Sequence, residues 1–124
     1  MSQKKSILII DDDSRNIFAL QAVLKAKGFN CLSAISAKDG IELLLHDREI
    51  GIVLMDMMMP DMDGYEAIAA IRETDAISQI PVIAVTAQAM VGDKKKCMDA
   101  GARDYVSKPI NVDALMEILE LHLK

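Results

Sequence analysis

The five residues at 52–56 read IVLMD, four apolar side chains in succession closed by an aspartate. The run ILII at 7–10 is likewise followed by an aspartate triplet, and VIAVT at 82–86 ends in a threonine. A short, continuous apolar run containing β-branched residues is typical of a strand that is buried on both faces, as in a parallel sheet. These three runs therefore predict the central strands of such a sheet.

Weaker apolar runs at 30–34 and 104–107 are expected to form strands nearer the sheet edges. The segments between the runs carry apolar residues at helical spacing, with Ser14 a candidate N-cap and Gly28 a candidate stop for the first helix. The helices are predicted over residues 14–27, 36–47, 63–73, 91–100 and 111–123. Five strands alternating with five helices indicate an α/β fold of (βα)5 type, with right-handed crossovers and helices on both faces of a parallel sheet.

Length and composition narrow the class of protein. The 124 residues suit one domain over 1–124, and a net charge of −5 with 3% aromatic residues argues against nucleic-acid binding. Cys31 and Cys97 lie outside any CxxC spacing, which argues against a disulfide framework or a structural zinc site. No signal peptide and no membrane span of about 18–20 apolar residues is recognisable, so a cytoplasmic location is expected.

Polar side chains follow the predicted strands at their carboxyl ends, where ligands bind in open α/β sheets. If strands one and three are neighbours, Asp11, Asp12 and Asp56 converge, and their mutual repulsion requires a cation. Mg²⁺ suits such a group of carboxylates, and Lys108 can reach the same point from strand five. A carboxylate beside Mg²⁺ and a lysine is suited to nucleophilic attack on a phosphoryl group, to which the Thr86 hydroxyl can donate a hydrogen bond.

Four segments together resemble the receiver domain of bacterial response regulators. They are IIDDD at 9–13, LMDMMMPDMDGYE at 54–66, AVTAQAM at 84–90 and AGARDYVSKPI at 100–110. The resemblance covers essentially the whole chain. It implies a doubly wound, flavodoxin-like three-layer sandwich whose sheet has the strand order 2-1-3-4-5.

The resemblance also implies roles for individual residues around a metal. Asp56 matches the phosphoacceptor, which is the residue that becomes modified. Asp12 matches the direct Mg²⁺ ligand of the acidic pair, and Asp11 the one that acts largely through water. Met58 matches the position whose backbone carbonyl binds the metal, so its side-chain type is not constrained by that role.

A second set of implied roles concerns the response to phosphorylation. Lys108 matches the lysine that pairs with the phosphoryl group, and the following Lys108–Pro109 bond is usually cis in the family. Thr86 matches the switch hydroxyl, and Tyr105 the aromatic side chain that turns inward on activation. Such a domain accepts a phosphoryl group from a histidine kinase or a histidine phosphotransfer protein. It then acts through a contact with a downstream protein, and is a signalling phosphoacceptor and not a substrate-turnover enzyme.

Two positions beside the predicted site, Met58 and Gln88, lie where family members vary in the lifetime of the phosphorylated state. An apolar Met58 is expected to hinder the positioning of water, which predicts slow self-dephosphorylation. The chain fits a stand-alone regulator or a receiver from a hybrid histidine kinase equally well. Asn16, Phe18 and the Ala-Met pair at 89–90 resemble receivers of hybrid kinases.

Other interpretations of the same residues remain open at this point. A haloacid-dehalogenase-type phosphatase needs a second aspartate two residues after the nucleophile, where Met58 stands. A flavodoxin-like FMN carrier needs a hydroxyl- and glycine-rich loop after strand one, where Asp11–Asp13 would repel a phosphate. A receiver that is never phosphorylated usually lacks one of the key residues, and all are present here.

Two further sequence features have an ordinary and a functional explanation. Five of the nine methionines lie at 55, 57, 58, 59 and 62, either as adaptable filler around the site or, as a minor alternative, as thioether ligands for Cu(I). The triplet at 94–96, three lysines, is expected to be a solvated helix face, with partner docking as the alternative.

Overall fold

The computed structural model describes residues 5–59, 63–87 and 93–123. Its five strands are β1 (Ser6–Ile10), β2 (Asn30–Ala34), β3 (Ile50–Asp56), β4 (Val82–Thr86) and β5 (Asp104–Ser107). They form one sheet in the order β2-β1-β3-β4-β5, and all neighbouring pairs are parallel. The predicted strand order is confirmed, and the two weaker apolar runs are the edge strands.

Five α-helices connect the strands. They are α1 (Ser14–Ala26), α2 (Ala37–His46), α3 (Gly64–Glu73), α4 (Asp93–Ala100) and α5 (Val112–His122). The predicted cap of α1 is wrong by one residue, because the carboxylate of Asp13 accepts from the Arg15 N–H at 2.9 Å and Ser14 is already helical. Gly28 follows the helix with φ of +93°, the left-handed conformation that suits a glycine stop.

Each of three further helices begins with a side chain that accepts a backbone N–H of its first turn. Ser36 caps α2, Asp63 caps α3 and Asn111 caps α5, each at 2.9 to 3.2 Å. Such caps satisfy amides that have no partner within the helix. They fix where the helices begin, and thus where the preceding loops at the carboxyl edge of the sheet end.

The sheet separates two apolar clusters, because side chains alternate between its faces. We call them the α1/α5 core and the α2/α3/α4 core after the helices that cover them. The buried residues of the α1/α5 core are Ile7, Ile9, Ile17, Leu24, Ile52, Leu54, Ile83, Val85, Val106, Leu115 and Leu119. Alternate strand residues, such as Leu8, Val53, Met55 and Ala84, pack with α2, α3 and α4. The three-layer sandwich is therefore confirmed.

Some element bounds differ from the sequence-based expectation. β3 begins at Ile50, two residues earlier than predicted, and a 3₁₀ turn at Asp75–Ile77 was not predicted. Helix α4 begins at Asp93; the predicted start at Val91 lies outside the described residues, as do Gln88 and the 89–90 pair. Across the described residues, no helix is both long and apolar enough to span a membrane.

Candidate functional site

Three aspartates meet at the carboxyl edge of the sheet. Asp11 directly follows β1 and Asp56 is the last residue of β3, and these two strands are hydrogen-bonded neighbours. Each of Asp11, Asp12 and Asp56 offers one carboxylate oxygen, and these oxygens lie within 4.8 Å of one another. Asp11 and Asp56 are buried, whereas Asp12 is exposed. The predicted convergence of these carboxylates is thus present.

Backbone amides hold the two buried carboxylates in place. The N–H of Met58 donates to Oδ1 of Asp56 at 3.0 Å, and the N–H of Asp13 donates to Oδ1 of Asp11 at 2.9 Å. Each bond comes from the residue two positions further along, so the loop that leaves the strand also orients its last acidic side chain. The second oxygen of each carboxylate remains directed toward the shared space, where Lys108 meets both.

Lys108 supplies the positive charge of the site. Its Nζ lies 3.4 Å from Oδ2 of Asp11 and 3.8 Å from Oδ2 of Asp56. The backbone N–H of Lys108 donates to the carbonyl of Thr86 at 2.8 Å, and the Lys108–Pro109 peptide bond is cis. A residue 52 positions from Asp56 in sequence is therefore brought to the same edge, as the alternation of elements predicts.

The charge of Asp56 is unfavourable in the protein without a bound cation. Burial raises the pKa of Asp56 above its ordinary value of 3.8, and the nearby charges of Asp11 and Asp12 raise it further. The N–H of Met58 and the charge of Lys108 act in the opposite direction, but the pKa remains raised. One lysine thus compensates only part of the repulsion among three carboxylates.

The donor set fits Mg²⁺. The cluster consists of carboxylate oxygens only, which are the hard ligands that Mg²⁺ prefers, and one exposed member leaves room for retained water molecules. The raised pKa of Asp56 points the same way, because a divalent cation would relieve the repulsion that causes it. Asp11, Asp12 and Asp56 are accordingly the candidate metal ligands of the chain.

Thr86 and Tyr105 lie on the α4 side of the sheet. Thr86, the last residue of β4, is buried, and Tyr105 in β5 is half-buried against the α2/α3/α4 core. In the register of the two strands Ala84 pairs with Tyr105 and Thr86 with Ser107, so both side chains project to the same face. The two side chains that the sequence predicts as a switch pair thus lie on one face of neighbouring strands.

The methionines around Asp56 divide into two groups. Met55, Met57 and Met59 are buried in the α2/α3/α4 core, which agrees with the interpretation of methionine as filler. Met58 is 54% exposed at the rim of the site. Met62 lies outside the described residues.

A cleft beside the site was not predicted from the sequence. It has a volume of about 580 Å³ and runs from Asp56 and Lys108 along the sheet between α1 and the beginning of α5. Its walls are mainly apolar and include Leu20, Val23 and Ile110. The spacing of apolar residues on α1 predicts that one face of this helix is buried. It does not predict that α5 leaves a gap beside α1 near the site.

The fold and the site together define a receiver domain of two-component signalling: a doubly wound sheet with an acidic cluster and a lysine at its carboxyl edge. A family model described as "Response regulator receiver domain" matches residues 7–120. The chain therefore belongs to the response regulator receiver domain family.

Known relatives include both separate regulators and parts of kinases. The chain is 31% identical over 119 residues to the polar-differentiation response regulator DivK of Brucella anthropi, covering 96% of each chain. It is 36% identical over 125 residues to hybrid signal transduction histidine kinase I of Dictyostelium discoideum, of which the match covers only 7%. The chain thus spans a small part of that kinase but nearly all of DivK.

A solved structure shows the same architecture with a metal. The receiver domain of sensor histidine kinase PA1611 from Pseudomonas aeruginosa has a TM-score of 0.87 and 30% identity to this chain, covering 98% of each chain. That structure has a magnesium ion coordinated in its active-site cleft. The likeness extends over nearly the whole of both chains.

Proposed function

We propose that this domain accepts a phosphoryl group on Asp56 and uses it to change the surface formed by α4, β5 and α5. One observation carries the proposal: a buried carboxylate ends the central strand β3, with Lys108 Nζ 3.8 Å away and two further carboxylates beside it. This arrangement offers a nucleophile, a cation for the phosphoryl oxygens and a candidate metal site in one place.

The reaction needs few groups from the protein. The free oxygen of Asp56 attacks phosphorus in line, an O–P bond forms, the P–N bond of the phosphohistidine breaks, and the imidazole leaves with the electron pair. Lys108 pairs with the charge on the equatorial oxygens, and the N–H of Met58 holds the carboxylate in its orientation. Water later cleaves the acyl phosphate, which returns the carboxylate and releases inorganic phosphate.

Metal binding belongs to the same proposal. Asp11, Asp12 and Asp56 would hold Mg²⁺, and the resemblance to the family adds the backbone carbonyl of Met58 as a further candidate ligand. When bound, the ion supplies positive charge that neutralises phosphoryl oxygens. The carboxylates orient the site before the donor arrives, since two of them are fixed by backbone N–H groups.

The donor protein is proposed to dock over the cleft between α1 and α5. Receiver domains interact with histidine kinases or histidine phosphotransfer proteins, and the cleft opens next to Asp56. On α1, Ala19, Leu20 and Val23 line the cleft and offer apolar surface that a partner helix could cover. A docked helix here would place its histidine close to the carboxylate.

The output surface is proposed to lie at the β5 edge of the sheet, where α4 and α5 flank β5. An acyl phosphate adds about two negative charges and three acceptor oxygens, which attract the hydroxyl of Thr86. Movement of Thr86 toward the site would make space for Tyr105, which lies on the same face one strand further. The population of the active state then shifts by as much as the phosphoryl group favours it.

The alternatives from the sequence gain no support. For a phosphatase of the haloacid-dehalogenase type, the position two residues after Asp56 is Met58, which offers no side-chain acid or base. For an FMN carrier, Asp11 and Asp56 face the space that a phosphate would enter, and the membership in the receiver family favours a phosphoacceptor.

The test is phosphorylation by acetyl phosphate with Mg²⁺, read as an added mass of one phosphoryl group on the intact protein. The wild type is expected to be labelled, Asp56→Asn to remain unlabelled, and Lys108→Ala to react about 10²-fold more slowly because a charge at the transition state is lost. Asp99→Asn, which changes an exposed aspartate of α4, is the matched control and should react like the wild type. Labelling of Asp56→Asn at the wild-type level would refute the assignment.

A further inference from the structure

Arg72, near the end of α3, makes an unusual set of contacts at the edge of the sheet opposite Asp56. Its Nε and Nη2 donate to the carbonyl of Gly101 at 3.0 and 2.6 Å. Its Nη1 donates to the carbonyls of Ser78 and Ile80 at 2.9 and 2.8 Å. One guanidinium thus binds three backbone carbonyls that belong to two separate connections of the chain.

Those carbonyls stand next to the elements that carry the proposed switch. Ile80 lies two residues before β4, the strand that ends in Thr86. Gly101 directly follows α4 and lies three residues before β5, the strand that contains Tyr105. Arg72 therefore ties the start of β4, the end of α4 and the approach to β5 to α3.

The contacts of Arg72 are strong ones. The guanidinium is half-buried, and an arginine remains charged at physiological pH, so all four hydrogen bonds are charge-assisted. Charge-assisted hydrogen bonds are roughly twice as strong as neutral ones. The planar fork of donors also matches the spread of the three acceptors, which a single ammonium group could not reach together.

Gly101 is shaped to receive this side chain. Its φ is +119°, a conformation that residues with a Cβ rarely adopt. A Cβ placed there would lie 2.9 Å from Cγ2 of Ile68 and 3.1 Å from Cγ of Arg72. The close approach of the α4–β5 turn to α3 therefore depends on glycine at this position.

Two polar contacts from the same helix α3 also reach the middle of α4, where Cys97 is buried in the α2/α3/α4 core. The hydroxyl of Tyr65 lies 3.8 Å from Sγ of Cys97, and Nζ of Lys96 lies 4.5 Å from the centroid of the Tyr65 ring. Sulfur is a poor hydrogen-bonding partner, and a cation–π contact of an exposed lysine is modest. Among these contacts from α3, the restraint on α4 is thus strongest at its C-terminal end.

We propose that Arg72 is a positioning residue of the switch, which fixes the C-terminal end of α4 together with the start of β4. A phosphoryl group on Asp56 then displaces the earlier turns of α4 about this fixed end. The proposal rests on the proposed function, because the phosphoryl group provides the signal. Arg72 thus sets the point on α4 beyond which the movement does not extend.

Amide hydrogen exchange of the whole chain, resolved by residue, tests this with Mg²⁺ alone and with Mg²⁺ plus acetyl phosphate. The anchor amides are those of Ile80, Gly101, Ala102 and Arg103, which donate to Ile77, Met98, Cys97 and Val82. Phosphorylation is expected to change exchange at residues 96–98 of α4 by about tenfold or more, and at the anchor amides by less than about twofold. A change at the anchor amides as large as that in α4 overturns the proposal, and the wild type alone suffices for this comparison.

Arg72→Lys separates positioning from simple stabilisation. We expect the phosphorylation-dependent change to spread to the anchor amides in this variant, while the rate of labelling and the affinity for Mg²⁺ stay as in the wild type. Arg103→Lys is the matched control, because Arg103 donates to a single carbonyl in the same region, that of Gln79 at 3.3 Å, and should keep the wild-type pattern.

Two results distinguish the possible failures. If Arg72→Lys raises exchange at the anchor amides equally with and without the phosphoryl group, Arg72 is only structural and the proposal is refuted. If the mass of the wild type shows no added phosphoryl group, the proposed function fails first, and the role of Arg72 in the response is refuted with it.

Discussion

Asp56 is the residue of the site whose negative charge carries the largest free-energy cost. Burial and two neighbouring carboxylates oppose its negative charge, and one N–H and one lysine relieve only part of that cost. A cation, or a phosphoryl group that pairs with Lys108, is therefore expected to stabilise the site. The same imbalance makes the stability of the metal-free protein depend on pH.

We expect the metal-free protein to lose stability as pH rises through the pKa of Asp56. The folded pKa is raised above the ordinary value of 3.8, so the folded state binds the proton more tightly than the unfolded state does. This contribution is fully present below pH 3.8 and disappears as the pH passes the folded pKa. Urea unfolding with a chelator present, at pH values from acid to neutral, measures it.

Asp56→Asn should lack that loss and be more stable than the wild type near neutral pH. The difference in unfolding free energy between the two proteins should grow with pH. Asp75→Asn, at an exposed position, serves as the control and should follow the wild type. A difference that is constant from acid to neutral pH would contradict the expectation.

Met58 is expected to lengthen the phosphorylated state. Its side chain is apolar and 54% exposed at the rim of the site, while its N–H holds the carboxylate of Asp56. An apolar group there cannot orient an attacking water. After removal of acetyl phosphate, the added mass should persist for minutes, and Met58→Asn should shorten this lifetime. Met98→Asn, on α4, is the control, and decay of the wild type within seconds would refute the prediction.

At the scale of the elements, the loop after Asp56 ends where Asp63 caps α3. The carboxylate of Asp63 accepts from the N–H of Glu66 at 2.9 Å. Asp63→Ala should lower the free energy of unfolding by about 1 kcal/mol, the usual effect of losing an N-cap. Urea unfolding without metal checks this. Asp99→Ala should change it by less than about 0.5 kcal/mol, because its ion pair with Lys95 is exposed; equal effects of both variants would contradict a capping role.

The sequence predicted best those elements whose ends are determined by neighbouring residues in the chain. The apolar run ending at Asp56 and the glycine at 28 each determine a strand or helix end through their immediate neighbours. The choice of Asp13 over Ser14 as the cap of α1 was missed, because two adjacent capping residues compete and only the backbone path decides between them.

What the sequence could not predict depends on contacts between distant segments. Arg72 reads as an ordinary basic residue at the end of a helix, yet its acceptors lie 6, 8 and 29 residues away. The convergence of Asp11, Asp56 and Lys108 was predictable only because parallel strands share one carboxyl edge. The cleft between α1 and α5 is a packing outcome for which the spacing of apolar residues gave no signal.

At the scale of the whole molecule, metal binding should appear as added stability. A ligand that binds only the folded state stabilises it by about 2.7 kcal/mol when its concentration is 100 times the dissociation constant. Thermal unfolding should therefore shift upward as Mg²⁺ is titrated, and removal of the metal by a chelator should reverse the shift.

Substitution of Asp12 tests the metal site with little disturbance of the core, because Asp12 belongs to the acidic cluster but is exposed. Asp12→Ala should raise the metal-free midpoint slightly, because one repelling carboxylate is removed, and abolish most of the shift caused by Mg²⁺. Asp113→Ala removes an exposed aspartate outside the cluster and should keep the full shift. A full shift in Asp12→Ala would show that the metal binds elsewhere.

The separation of the α1/α5 core from the α2/α3/α4 core has a consequence for how such domains diverge. Because the sheet stands between them, each core packs against its own set of strand side chains, Leu8 and Met55 on one face and Ile9 and Leu54 on the other. The cleft of the proposed donor site lies on one face and Tyr105 of the proposed switch on the other, so donor recognition can change while the packing of Tyr105 is kept. A duplicated receiver can in this way acquire a new donor before its response changes.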